Sequence, residues 1–256
     1  MSFDVDPDAY GRFMGRFSRP LAEMFVDLVG VQPGQHVLDV GCGSGALTDV
    51  LVQRVGADAV AAVDPSPTLV DQVRATYPAM EVHCSGAEEM PFADGAFDVV
   101  LAQLVVQFMA DPVQGLAEMA RTTAPGGVVG ASVWDHRTGG GGPLSTFWTA
   151  ACSLDPHLSD ESGQAGVAEG HLAELFTTAG LTDVRSGSLT VVVEHPTFED
   201  WWEPFTLGVG PAGAYVAALD DERRDALRER CRALQPSAPF ETRATAWTVL
   251  GSPGLS

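Results

Sequence analysis

The sequence predicts an α/β fold in which helices cover both faces of a mainly parallel sheet. Between residues 36 and 134, short apolar runs alternate with amphipathic segments. The runs are apolar at consecutive positions, as expected for strands that are buried on both faces. Such βαβ alternation implies right-handed crossovers and a doubly wound sheet. The 256 residues suffice for one domain with a substantial core.

Each element follows from its own pattern. A helix that carries Leu21, Met24, Phe25 and Leu28 on one stripe precedes the first strand. Five apolar runs predict strands: HVLDV, AVAAV, MEVHC, AFDVVLA and GVVGASVW. Two helices between them have apolar residues at helical spacing, first Leu69, Val70 and Val73, and later Val113, Leu116, Ala117 and Ala120.

The pattern changes after the fifth run. The glycine-rich segment 135–143 predicts either the hinge of a lid or a disordered loop. One more helix ends at Gly180, and two late strands are predicted in LTDVRSGSLTVVVEH and TRATAWTVL. A helical insert at 198–234 separates these strands. Its aromatic residues predict either a roof over an apolar pocket or ordinary core packing under a cap, and they are Trp201, Trp202, Phe205 and Tyr215.

Composition excludes several functions. The formal charge is −20, with 34 acidic residues against 14 basic ones, and every basic residue is arginine. This charge disfavours nucleic acid and anionic membranes as partners. Without lysine, neither a Walker-type phosphate site nor a lysine Schiff base is available. The four cysteines are far apart and form no metal-ligand pattern with histidine, so reduced thiols and no metal site are predicted.

The N-terminal residues indicate the compartment. They are acidic and contain neither a basic region nor a long apolar core. The rest of the sequence contains no long uninterrupted apolar stretch. We therefore expect neither secretion nor membrane insertion. A cytoplasmic location is predicted.

The first apolar run leads into a glycine-rich turn, VGCGSGA. Gly41, Gly43 and Ala46 satisfy the relaxed dinucleotide-binding pattern. Asp39, however, lies two residues before the first glycine, where it would repel a pyrophosphate and suit a ligand with an ammonium group. Asp64 ends the second run and can accept hydrogen bonds from ribose hydroxyls with either kind of ligand.

A third segment, SGAEEMPFADGAFDVV, distinguishes between the ligands. It places Ala87 and Glu88 at the end of the third strand, before a turn into the fourth. The carboxyl ends of parallel strands face one crevice, where open α/β sheets bind ligands. That crevice would present a glycine turn, a ribose acceptor and polar groups for a base edge.

Four motifs carry a family resemblance. VLDVGCGSG, VAAVDPS, AEEMPFADGAFDVV and the APGG turn before strand five resemble class I S-adenosylmethionine-dependent methyltransferases, in the group similar to ubiquinone/menaquinone-biosynthesis methyltransferases. The resemblance covers about Tyr10 to Trp134. It implies a Rossmann-like seven-stranded sheet, mostly parallel with one antiparallel strand, and a helical cap between the last two strands. The expected layout is a single methyltransferase domain at 1–256, with an N-terminal helical segment at 1–35, a cofactor-binding core at 36–134 and the cap at 198–234.

The resemblance also implies a site for S-adenosylmethionine, whose product is S-adenosylhomocysteine. Asp64 would hold the ribose and Ser66 would cap the next helix. Ala87 and Glu88 would meet the adenine, and Tyr10 would close over the cofactor. The full set implied to bind the cofactor is Tyr10, Asp39, Gly41, Gly43, Gly45, Asp64, Ser66, Ala87, Glu88 and Gln103.

Methyl transfer from a sulfonium is an in-line displacement that needs alignment of the reactants and exclusion of water. A general base contributes when the nucleophile must lose a proton. His136, just after strand five, is the candidate base, and a solvated loop histidine is the alternative. Gln107 and Phe108 either face the substrate or begin a helix.

The predicted function is methyl transfer to a small-molecule acceptor, and the aromatic insert favours an apolar or planar one. Two other functions stay open. The relaxed glycine pattern permits a nicotinamide-dependent oxidoreductase, although Asp39 disfavours it. A non-methylating protein on the same fold, such as a cyclase or a regulator, could keep the cofactor site, because fold does not fix function.

Overall fold

The computed structural model describes residues 11–137 and 140–254. Its centre is one sheet of seven strands: β1 (Val37–Val40), β2 (Val60–Asp64), β3 (Glu81–Cys84), β4 (Phe97–Gln103), β5 (Thr123–Trp134), β6 (Thr182–His195) and β7 (Phe240–Ser252). The order across the sheet is β3-β2-β1-β4-β5-β7-β6.

Strand directions confirm the predicted topology. Strands β1 to β5 pair in parallel, and β7 runs antiparallel to both of its neighbours, β5 and β6. The chain first moves outward from β1 through β2 to β3 and then crosses to β4 on the other side of β1. The carboxyl ends of β1 and β4 therefore flank a switch point, where such sheets open a crevice.

Helices cover both faces of the sheet. They are α1 (Arg16–Val29), α2 (Ala46–Val55), α3 (Pro67–Thr76), α4 (Pro112–Thr122), α5 (Ser145–Leu154), α6 (His171–Thr178), α7 (Phe198–Trp202), α8 (Gly210–Ala218) and α9 (Asp221–Leu234). Helices α1 to α3 pack on one face, and α4 and α6 pack on the other. Val37 of β1 faces one of these cores, and Leu38 and Val40 face the other, which explains why apolar residues occur on both faces of the strand. No helix among the described residues combines the length and apolar character needed to cross a lipid bilayer.

The buried stripe of α1 differs from the predicted one. Leu21 and Phe25 are fully buried, but Met24 and Leu28 are 38% and 46% exposed. The buried face instead includes Ser18 and the residues that follow Leu21 and Phe25 in the chain. Two overlapping stripes share Leu21 and Phe25, and helical periodicity cannot tell which one the sheet covers.

The glycine-rich segment is a fixed turn in its described part. The carboxylate of Asp135 accepts hydrogen bonds from the backbone N–H groups of Gly141, at 3.0 Å, and Arg137, at 3.3 Å. Thr245 in β7 exchanges further backbone bonds with Asp135 and Gly141. A Cβ at Gly140 would lie 2.7 Å from an Asp135 carboxylate oxygen, so this tight turn requires glycine. The alternative of a disordered loop is therefore wrong for residues 140–142, and the hinge of a lid stays a prediction.

The helical insert between β6 and β7 is present as predicted, and it contains α7, α8 and α9. Phe205 stacks on Phe147 of α5 with ring centroids 4.6 Å apart, and Trp201 lies 4.8 Å from the same Phe205 ring. Phe13 meets Phe205 edge-on at 5.1 Å. These aromatic rings form a core that joins the insert to α5 and to the turn before α1.

Candidate functional site

A cleft of about 140 Å³ opens at the carboxyl ends of β1, β2 and β4. Its walls come from α1, the glycine turn, the segment after β2 and the segment after β4. Five of the predicted cofactor-binding residues line it: Asp39, Gly41, Gly43, Asp64 and Gln103. The cleft therefore lies at the switch point, where the sequence predicts it.

Gly41 gives the glycine turn its conformation beside this cleft. Its φ of +72° lies in the left-handed region, and its N–H donates to the Val63 carbonyl at 2.8 Å. A Cβ at this position would lie 2.5 Å from a methyl carbon of Val105. Backbone conformation and close packing thus both require glycine here.

Asp39 is a buried carboxylate at the floor of the cleft. Its Oδ2 accepts a hydrogen bond from Thr48 Oγ1 at 2.6 Å. The pKa of Asp39 is raised to about 7, mainly by burial and to a smaller extent by the nearby Asp64 carboxylate. Since burial disfavours its negative charge, this carboxylate would gain strongly from a cationic partner.

The carboxylate of Asp64 is fixed by two backbone groups. The N–H of Gly43 donates to Oδ2 and the N–H of Ser66 donates to Oδ1, each at 2.9 Å. Burial raises the pKa of Asp64. Each oxygen keeps acceptor capacity for a further donor such as a hydroxyl. Ser66 caps α3 through a 3.5 Å bond from Leu69 N–H to its Oγ, as predicted.

Two buried polar atoms at the cleft lack partners. Gln103 Nε2 donates to the Ser18 carbonyl at 2.9 Å, which ties β4 to α1. Among the described residues, Gln103 Oε1 and Ser18 Oγ have no hydrogen-bond partner, although both side chains are buried. Buried polar atoms are normally hydrogen-bonded, so a ligand is the natural partner for both. The sequence analysis missed Ser18, whose signal is a polar residue on the buried face of α1.

The residues predicted to meet the adenine lie elsewhere. Glu88 Oε1 accepts hydrogen bonds from the N–H groups of Ala110, at 2.8 Å, and Asp111, at 3.3 Å, and so supports the segment before α4. Ala87 is buried in the core next to α4. Neither Ala87 nor Glu88 is among the described residues that line the cleft. Their contact with adenine stays a prediction, and Tyr10 lies outside the described residues.

Gly45 and Ser66 support the cleft from behind its lining. The N–H of Gly45 donates to the Cys42 carbonyl at 2.9 Å, which closes the turn just before α2. Its φ is +93°. Roles of Gly45 and Ser66 in direct contact with a cofactor stay predictions.

A second cavity of about 60 Å³ adjoins the cleft and shares Leu104 and Phe108 with it. His136 lines this cavity and is buried, so the alternative of a solvated loop histidine is wrong. Burial lowers the pKa of His136 to about 4, against the opposing effect of Asp135 and Asp160. The imidazole is therefore neutral at neutral pH and can accept a proton or a hydrogen bond.

Leu104 stands between the two cavities in a strained conformation. Its φ is +62°, which costs a non-glycine residue about 1 kcal/mol or more. Its N–H donates to the Ser132 carbonyl at 2.7 Å, and its carbonyl accepts from Gln107 Nε2 at 3.0 Å. These bonds hold the segment after β4 against β5. Strain of this kind is typical of functional sites.

The sequence analysis missed Glu161 in the second cavity. This side chain is buried, and its Oε2 accepts a hydrogen bond from Trp148 Nε1 at 2.8 Å. Burial raises the pKa of Glu161. Gln107 and Phe108 also line the cavity, and they lie in a short 3₁₀ turn. The insert contributes residues 209–212, whereas its four aromatic residues belong to the core instead of the cavity wall.

Fold and cleft together define a nucleoside-binding α/β protein with a carboxylate suited to an ammonium group. A family model described as a methyltransferase domain matches residues 38–130. The demethylmenaquinone methyltransferase of Renibacterium salmoninarum is 34% identical over 173 residues, which are 67% of this chain and 70% of that protein. The chain belongs to the class I S-adenosylmethionine-dependent methyltransferase family, in the group related to the ubiquinone/menaquinone-biosynthesis enzymes.

Solved structures share the fold. Phosphoethanolamine N-methyltransferase 2 of Haemonchus contortus, solved with S-adenosylhomocysteine, has a TM-score of 0.58 at 17% identity, covering 100% of this chain and 61% of that chain. The [4+2]-cyclase SpnF has a TM-score of 0.55 at 17% identity, covering 93% of this chain and 81% of that chain. At this identity the likeness shows the fold alone. Several other curated relatives are matched over only about half of their length, from 43% to 53%.

Proposed function

We propose that this protein transfers a methyl group from S-adenosylmethionine to a small-molecule acceptor. The observation that carries the proposal is the buried Asp39 at the glycine turn, whose charge is disfavoured unless a cation joins it. When bound, the cofactor supplies an activated methyl group on a positively charged sulfur, together with an ammonium group.

The residues present fit this cofactor. Asp39 would hold the ammonium group, and Asp64 would accept hydrogen bonds from the ribose hydroxyls. Gln103 Oε1 and Ser18 Oγ, unpartnered among the described residues, would complete the polar contacts. The N-terminus of α2 borders the cleft through Ala46 and suits the carboxylate of the same ligand.

The same cleft disfavours a nicotinamide dinucleotide. Asp39 and Asp64 both border it, and no arginine is among the described residues of its lining. A pyrophosphate would thus meet two carboxylates without a compensating cation. This charge arrangement supports the methyltransferase proposal over the oxidoreductase alternative.

The second cavity would hold the acceptor. Its walls include apolar side chains from the turn before α1, the segment after β4 and the insert, which exclude water from the reacting atoms. Proximity and orientation of two bound reactants can supply roughly 7–11 kcal/mol of a reaction barrier. His136 would accept a hydrogen bond from the nucleophile and take up its proton. General-base catalysis contributes about 10²–10⁴-fold, and the burial that lowers the pKa of His136 to about 4 places its contribution toward the lower end of that range.

We further propose that the chain acts as a single domain in the cytoplasm and binds neither nucleic acid nor membranes. Its net charge of −20 supports the exclusion of polyanionic partners. All four cysteines are free, which fits a reducing compartment.

Calorimetric titration with S-adenosylhomocysteine at up to millimolar concentration tests the cofactor site. Incubation with S-adenosylmethionine and a panel of phenols, amines and acidic carbon nucleophiles then tests the reaction, with S-adenosylhomocysteine as the measured product. We expect binding and product formation with at least one acceptor, and no binding of NADH. Absence of binding in the titration would overturn the proposal. Binding without product across the panel would favour a non-methylating protein.

A further inference from the structure

The polar atoms of the second cavity are mainly hydrogen-bond acceptors. Gln107 Oε1 has no partner among the described residues, while its Nε2 is already bound to the Leu104 carbonyl. Glu161 is a carboxylate, and His136 is neutral at neutral pH because burial disfavours its charge. The donors found on the described lining are Trp134 Nε1, which has no partner there, and the one N–H of the neutral His136 ring. A ligand here must therefore supply at least one donor.

Glu161 has acceptor capacity left for such a ligand. Trp148 donates to its Oε2, and no hydrogen bond between described residues involves Oε1. The side chain is 5% exposed, so water contributes little to its solvation. Glu161 therefore combines a fixed position on the cavity wall with an acceptor atom available to a ligand, which is the property of a selective contact.

The charge around the cavity excludes anions. No arginine is among its described lining residues, and the chain has no lysine. Asp135 and Asp160 are close enough to act on His136 electrostatically. An anionic acceptor would meet Glu161 and Asp160 with no cation on the described cavity wall to compensate, whereas Asp135 is already paired with Arg137 at 3.9 Å, and the site is largely apolar.

We propose that Glu161 is a specificity-determining residue that selects an uncharged, largely apolar acceptor with an O–H or N–H donor, and that it rejects carboxylate and phosphate acceptors. This inference rests on the proposed function, because it takes the second cavity as the acceptor site. Glu161 would accept the hydrogen bond of the acceptor through Oε1. Gln107 Oε1 would provide a second acceptor on the side of Leu104.

The test measures binding of 2-naphthol and 2-naphthoate at pH 7.5 by fluorescence, with and without saturating S-adenosylhomocysteine. These probes share a flat apolar ring system and differ in the donor and the charge. We expect 2-naphthol to bind at least tenfold more tightly to the unmodified protein. In Glu161→Gln this ratio should fall to about threefold or less, because the amide is uncharged and can donate to a carboxylate. Glu169→Gln, an exposed residue with the same change, should keep the ratio.

Several outcomes would overturn the inference. They are equal binding of the two probes, an unchanged ratio in Glu161→Gln, no binding of either probe, or tighter binding of the cationic naphthylmethylammonium than of 2-naphthol. Thermal denaturation checks that Glu161→Gln is folded. We expect that it is, because the amide oxygen of glutamine can still accept the hydrogen bond from Trp148. If it is not folded, Gln107→Met serves instead and should weaken 2-naphthol binding about fivefold without changing 2-naphthoate binding. Failure of S-adenosylhomocysteine to bind, with the probe ratio intact, would remove the proposed function and leave this selectivity in place.

Discussion

The cofactor cleft and the second cavity meet at Leu104 and Phe108, but the chain builds them differently. The cleft consists mainly of strand ends and the turns that directly follow them. The cavity gathers side chains from the turn before α1, the segment after β4, the end of β5, the segment before α6 and the start of α8. Local sequence thus determines the cleft, whereas tertiary packing determines the cavity. The two regions should therefore respond to different substitutions.

The largest expected effect comes from Asp39→Asn, which removes the charge suited to an ammonium group. Loss of one partner of a buried charge pair costs about 2–5 kcal/mol, so we expect S-adenosylhomocysteine to bind more than tenfold more weakly. Binding of 2-naphthol in the second cavity should stay within twofold. Calorimetry and fluorescence measure the two affinities, and Asp58→Asn, an exposed residue, is the matched control.

The same variant should not lose stability. The pKa of Asp39 in the folded protein, about 7, lies above its ordinary value of 3.8, so the ionised form destabilises the free folded protein above pH 7. Asparagine removes that charge. We expect the melting temperature of ligand-free Asp39→Asn at pH 8 to equal or exceed that of the unmodified protein. A large decrease would show that Asp39 is needed for folding and would undermine its assignment to the ligand.

A substitution in the cavity should have the opposite profile. His136→Gln removes the proton acceptor and should lower turnover by about 10²-fold or more, in line with general-base catalysis. S-Adenosylhomocysteine affinity should change by less than twofold, because His136 lies in the second cavity. Initial rates and calorimetry separate the two effects. A parallel loss of cofactor affinity would contradict the division into two regions.

Cofactor binding should also depend on pH through Asp39. The carboxylate must be ionised to hold an ammonium group, and in the free protein it becomes protonated as the pH falls through about 7. We therefore expect the affinity for S-adenosylhomocysteine to be constant above pH 8. Below pH 7 the affinity should decrease, with a slope that approaches about tenfold per pH unit. Calorimetry between pH 5.5 and 8.5 measures this profile. If the affinity for S-adenosylhomocysteine depends equally steeply on pH in Asp39→Asn, the titrating group is not Asp39.

A pair of glycine substitutions distinguishes backbone strain from packing at Gly41. Gly34 and Gly41 both have positive φ, but a Cβ at Gly34 meets nothing within 4 Å, whereas one at Gly41 overlaps Val105. Gly34→Ala should cost about 1 kcal/mol of unfolding free energy. Gly41→Ala should cost about 1–3 kcal/mol more, as expected for overpacking. Urea denaturation measures both, and equal losses would contradict the packing argument.

The sequence predicts the cleft well because its determinants are close together in the chain. Asp39 and Gly41 are two residues apart, and the end of β2 brings Asp64 beside them. Strand positions followed from consecutive apolar residues, and all seven predicted strands are present. Ser18 is the exception, because it reaches the cleft from α1 and depends on which face of that helix the sheet covers.

The second cavity was largely inaccessible to sequence reasoning. Glu161 begins a 3₁₀ helix of only three residues, Glu161–Gly163, and a hydrogen bond from Trp148 of α5 fixes its side chain. Helix α5 itself was not predicted, since it starts without a side-chain cap directly after the glycine-rich turn. The insert aromatics suggested either a pocket roof or a core. Phe205 and Tyr215 contact Phe147, and the two tryptophans contact Phe205, so all four are core residues. Such long-range contacts leave no local pattern.

A crystal structure with S-adenosylhomocysteine bound tests the central claim most directly. We expect the amino group of the ligand on Asp39, the ribose hydroxyls on Asp64 and the sulfur facing the second cavity across Leu104. An empty cleft at saturating ligand concentration, or a ligand whose amino group lies away from Asp39, would contradict the account.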